Sequence, residues 1–92
     1  MKAEKKLLGM MEDLDKISAE IDAIVDEMTL ETEEECDRKY EEAHGRYVDL
    51  VIKTAEYLVL VMPVQFDKRA AKKIAFNRSC RAQLEGVLRR AC

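Results

Sequence analysis

Residues 7–28 read LLGMMEDLDKISAEIDAIVDEM, and their apolar side chains keep a seven-residue beat. Leu7, Leu14, Ile21 and Met28 stand seven apart, and Met10, Ile17 and Ile24 follow the first three by three places. This alternation of three and four aligns side chains along one helix face. Met11 and Val25 widen the seam to the stripe of a helix-bundle element, while Glu12, Asp15, Lys16, Glu20, Asp22, Asp26 and Glu27 take the outer positions. The spacing predicts a helix over residues 3–28.

Continuing the same beat would place Glu35 and Glu42 in the seam, so the pattern breaks over residues 29–32. Thr32 and Glu35 have the spacing of a capping box, and Glu33, Glu34 and Glu35 fall where a helix dipole favours negative charge. A second helix is expected over residues 32–62. At about 100° per residue, Cys36, Tyr40, Ala43, Tyr47, Val51, Thr54, Leu58 and Val61 lie within about 60° of one line. Toward its end Ile52, Tyr57, Val59 and Leu60 add apolar groups on the flanks and back. That end needs covering, by a third helix or by a partner chain, and Ile52, Val59 and Leu60 are the expected oligomer contacts. Pro63 is expected to end the helix, since proline has no N–H to donate and disfavours helix in the residue before it.

Asp67 suits the N-cap of a third helix over residues 68–90, with a kink or fraying near Asn77 and Ser79. Phe66, Ala70, Asn77, Cys80, Leu84, Val87, Leu88 and Ala91 form an imperfect apolar stripe. Opposite them run Ala71, Ala75, Ser79, Ala82 and Gly86, all small, edged by Lys68, Lys72, Arg89 and Arg90. A smooth, positively bordered surface is expected there.

Composition agrees with a helical chain. Of 92 residues, 48% are apolar and 38% charged, and glycine and proline together number four, too few for the turns of a sheet protein. The expected fold is all-α: one domain over residues 1–92, a long antiparallel helical hairpin with a third helix packed at its Pro63 end or along its seam, as a three-helix bundle. A homodimer forming a larger bundle is an open alternative, because three helices leave apolar surface only partly covered.

No stretch reads as a signal peptide, because the first apolar run stops at Glu12 and Asp13. The longest uninterrupted apolar run, residues 57–64, falls far short of the roughly 20 residues that span a bilayer. Three scattered cysteines, Cys36, Cys80 and Cys92, make no disulfide framework. A cytoplasmic protein that does not enter a membrane is expected.

Sites of chemistry find little support. Glu41 and His44 make a Glu-x-x-His pair, but a di-iron site needs that motif twice and the chain has one histidine. Cys36 and His44 lie about 12 Å apart along a helix axis, too far for a nucleophile and its base. No pair of cysteines has zinc-binding spacing. In length and helical character the chain resembles the helical chorismate mutases, which bind a dicarboxylate through arginines and a lysine set along long helices. The first helix here has no arginine and, in its interior, only Lys16, so that chemistry is not expected. No cofactor, metal or catalytic residue is expected, and the chain reads as a non-enzyme.

Charge is the remaining signal. Residues 1–66 hold 17 acidic and 8 basic side chains, a net of −9, whereas residues 67–92 hold 2 acidic and 8 basic, a net of +6. The acidic set Glu31, Glu33, Glu34, Glu35, Asp37, Glu41 and Glu42 reads either as a solvated helix start or as a docking surface for a basic protein partner. The basic residues Lys68, Lys72, Lys73, Arg78, Arg81, Arg89 and Arg90, with Arg69, read either as a helix packed on the acidic hairpin or as a nucleic-acid contact. The expected function is a protein–protein interaction module that occludes a surface of a macromolecular partner, with a nucleic-acid-binding regulator as the alternative. By analogy, small acidic proteins of this kind are often phage or mobile-element inhibitors.

Overall fold

A computed structural model describes residues 2–62 and 66–91. Among them every regular element is an α-helix: α1 (Lys2–Glu27), α2 (Glu33–Val61), α3 (Lys68–Phe76) and α4 (Arg78–Ala91). Pro63, expected to end α2, and Cys92 lie outside the described residues. None of these helices is long and apolar enough to cross a membrane.

The first two helices form the expected antiparallel hairpin. Lys6 Nζ sits 4.8 Å from the Tyr57 ring centre at one end, and Arg46 donates to Glu20 at 2.8 Å further along. The turn between them corrects the capping expectation. The Thr32 hydroxyl makes no cap bond into α2 and instead accepts from the Thr29 N–H at 3.0 Å, while Glu35 pairs with Lys39 at 3.4 Å. The turn's own groups, the Thr29 N–H and hydroxyl, compete with the helix amides for the Thr32 hydroxyl and hold it.

The expected third helix is two. Asp67 caps α3 as predicted, its Oδ1 accepting from the Ala70 N–H at 2.7 Å. Asn77 then breaks the run. Its backbone is extended (φ −93°, ψ 114°), and its Oδ1 accepts from the N–H of Ser79 at 2.9 Å and of Cys80 at 3.3 Å. An asparagine that supplies the first amides of a new helix competes with continuation of the old one. The chain therefore doubles back. Phe76, at the end of α3, meets Tyr47 midway along α2, and α4 runs antiparallel to α1, with Arg78 bonded to Ser18, Arg81 to Asp15 and Arg89 to Glu12.

The result is an up-down-up-down body with α3 on α2 and α4 on α1. Leu7, Leu8, Met11 and Leu14 from α1, Val51, Ala55 and Leu58 from α2, Ala71 and Ala75 from α3 and Leu88 from α4 make its core. Ala71 and Ala75 thus belong to the interior rather than to an exposed small-residue strip. The turn at Asn77 rotates that strip out of register, and beyond it Ser79 and Ala82 are exposed.

The two short helices cover only part of the hairpin. At about 1.5 Å per residue, α2, with 29 residues, is roughly three times as long as α3, with 9, and twice as long as α4, with 14. Residues 19–44 consequently extend past the body as a two-helix arm, and the molecule measures 50 × 23 × 20 Å. No residue of the arm joins the core cluster. Cys36 and Ala43 are buried between its helices, whereas Val25, Met28 and Tyr40 stay exposed and Leu30, at the tip, is 93% exposed.

Candidate partner-binding surface

Length decides where charge collects. Of the residues before Asp67, positions 1–18 and 45–66 hold six acidic and six basic side chains, and positions 19–44 hold eleven acidic and two basic. The entire net of −9 therefore falls on the arm. Glu31, Glu33, Glu34, Glu35, Asp37, Glu41 and Glu42 are all exposed there.

The basic segment meets α1 rather than the arm's acidic set. Arg81 is 1% exposed and joins three elements. Its Nη2 donates to Asp15 Oδ1 at 2.6 Å, and its Nη1 donates to the Ala75 carbonyl at 2.6 Å and to the Tyr47 hydroxyl at 3.2 Å. The Tyr47 O–H in turn donates to the Phe76 carbonyl at 3.5 Å. Ala75 and Phe76 end α3, where carbonyls lack partners within the helix and the dipole is negative, so a buried cation there acts as a C-terminal cap. Burial works against the guanidinium charge; the hydrogen bonds to Tyr47 and Asp15 outweigh it and raise the Arg81 pKa.

Arg89 pairs with Glu12 at 2.9 Å, Arg78 with Asp22 at 3.6 Å, and Arg90 Nε donates to the Gly86 carbonyl at 3.1 Å. Between Arg81 and Arg89, the Glu85 carboxyl is pushed up by burial and then by the charge of Asp15, against the pull of the two arginines. Its Oε1 is buried without a hydrogen-bond partner among the described residues. Lys68, Arg69, Lys72 and Lys73 are exposed along α3. The structure thus divides the basic set, with Arg78, Arg81 and Arg89 held by α1 carboxylates and the α3 lysines facing water.

Of the expected oligomer contacts, Leu60 is 76% exposed and Ile52 is exposed, whereas Val59 is half-buried against the core. Leu60 borders a shallow groove of about 420 Å³ with Lys6, Met10, Lys53, Glu56 and Tyr57. Glu41 and His44 are both exposed, His44 stacking on Tyr40 with ring centres 5.7 Å apart. Among the described residues no group of three His, Cys, Asp or Glu side chains is placed to hold a metal ion.

The sequence reading missed Arg81 as a core residue. Its position, three and seven places before Leu84 and Leu88 on the buried side of α4, was the available signal. The chain matches no protein-family model, no curated protein and no solved structure at a significant level.

Proposed function

We propose that the protein is a non-enzymatic interaction module whose acidic arm docks on a basic surface of a macromolecular protein partner and occludes it. What supports this most is the spatial separation of charge. The arm carries eleven acidic and two basic side chains and has no covering layer, while the body satisfies many of its charges internally. A field of one sign on a protruding element speeds encounter with an opposite surface and selects against acidic competitors. The action of an inhibitor or regulator, as phages and mobile elements encode, would follow from occlusion alone.

The nucleic-acid alternative has less to draw on. Arg78, Arg81 and Arg89 are engaged with Asp22, Asp15 and Glu12, which leaves chiefly the α3 residues Lys68, Arg69, Lys72 and Lys73 for phosphates. A polyanion approaching them would also meet the repulsion of the arm. Homodimerisation through Ile52 and Leu60 would occupy the body and leave the arm free.

Reversal of Glu33, Glu34 and Glu35 to lysine tests the proposal. Capture of the partner from nuclease-treated host lysate is expected to disappear while helical circular dichroism persists. A folded triple variant that still captures the partner would exclude the arm.

A further inference from the structure

The arm's two faces differ, and the difference names a ligand class. On the back, Arg46 pairs with Glu20, Lys39 pairs with Glu35, and Arg38 lines the same groove as Glu35 and Glu42. Lys39 and the neighbouring Arg46 thus serve back-face carboxylates, and Arg38 lies beside two of them. The front face is the continuation of the surface on which α3 and α4 pack. Its direction is fixed in the body by Tyr47 on α2, which touches Phe76 and Arg81, and by Ser18 on α1, which bonds Arg78. At about 100° per residue, Tyr40 lies about 20° from Tyr47 around α2 and Val25 about 20° from Ser18 around α1. Val25 is 51% exposed and Tyr40 is exposed with His44 stacked on it. Asp26, Asp37 and Glu41 flank this apolar line and are in no ion pair among the described residues, whereas Asp22, nearer the body, pairs with Arg78.

We infer that the front face of the arm binds a basic amphipathic α-helix, whose apolar stripe covers Val25 and Tyr40 and whose lysines or arginines reach Asp26 on one side and Asp37 and Glu41 on the other. The fold supplies the template. In the body the same two helix surfaces are covered by α3 and α4, and above Asn77 that layer stops while the hairpin continues for about 16 Å, three turns of helix. Charge complementarity selects the occupant. A second arm, equally acidic, would be repelled, whereas cations flanking an apolar stripe gain ion pairs, a cation–π contact with Tyr40 and burial of the exposed valine. The inference rests on the proposed docking function and narrows it to one face and one partner element.

The probe is a capped synthetic peptide of about 14 residues, with leucine at i, i+3, i+4 and i+7 and lysine or arginine elsewhere, titrated by fluorescence anisotropy. The comparison peptide has the same composition with the leucine stripe scrambled. Binding of the striped peptide is expected to exceed that of the scrambled one by at least about tenfold. It should weaken by about tenfold or more in the front-face variants Tyr40→Ala and Asp37→Lys with Glu41→Lys, and change little in the variant Glu20→Lys with Glu27→Lys, two exposed arm carboxylates that lie about 160° and 180° from Ser18 around α1, on the back. Equal binding of the two peptides, or equal loss from both faces, would overturn the inference and leave only diffuse attraction. Sedimentation showing arms occupied by a second copy, with no displacement by the peptide, would overturn it as well. Such failures are distinguishable from failure of the docking proposal, which is read from partner capture by the Glu33, Glu34 and Glu35 reversal.

Discussion

Arg81 Nη2 and Asp15 Oδ1 lie 2.6 Å apart, joining the last helix to the first across 66 positions of the chain. The two partners are unequal, since Arg81 is 1% exposed and Asp15 51% exposed. The guanidinium also holds the end of α3 through Ala75. Loss of Arg81 removes a buried side chain and leaves the Ala75 carbonyl without its guanidinium donor, whereas loss of the Asp15 charge leaves Arg81 its bonds to Ala75 and Tyr47. Arg81→Ala is expected to cost about 3 kcal/mol and Asp15→Asn about 1 kcal/mol, read as urea midpoints.

Glu85 sets a pH dependence of known sign. Burial, followed by the charge of Asp15, raises its folded pKa above the ordinary glutamate value. The stability linked to this group is therefore full below the unfolded pKa and is lost as pH rises through the folded one. Glu85→Gln removes the titration. The variant is expected to melt higher than the parent at pH 7, with the gap closing as pH falls below the ordinary glutamate range.

Asn77 separates α3 from α4 by capping the second of them. Asn77→Ala deletes the oxygen that accepts from Ser79 and Cys80 and is expected to cost about 1 kcal/mol in chemical denaturation.

Body and arm should differ in local stability. Leu7 is fully buried in the core cluster, while Ile21 is half-buried in the two-helix arm outside it. Leu7→Ala is expected to cost about 3 kcal/mol and Ile21→Ala about 1 kcal/mol. Hydrogen exchange should show arm amides opening at lower free energy than those of the body segment around Leu58.

The hairpin was legible because periodicity over more than twenty residues averages out local exceptions, and the beat of Leu7, Leu14 and Ile21 survives Gly9 between them. Asp67 was legible for a different reason, since a single acceptor before an uninterrupted helical run has little else to bond. Asn77 was harder. It was visible as a weak point, yet whether an asparagine kinks a helix or reverses the chain depends on what the next segment can reach, here Ser18, Asp15 and Glu12 on α1. Arg81 misled because its charge argues for the surface, while its burial depends on Asp15, Tyr47 and Ala75, partners distant in sequence. The acidic set was legible as composition. Its confinement to an uncovered arm depended on the lengths of α3 and α4, hence on the break at Asn77.

The central claim, that the arm is the docking element, is tested most directly by comparing two variants of equal charge change. One reverses Glu33, Glu34 and Glu35 on the arm; the other reverses Asp13, Asp49 and Glu56, all exposed on the body. Quantitative capture from nuclease-treated lysate should be lost in the arm variant and retained in the body variant. Equal loss in both, or retention in both, would contradict the account.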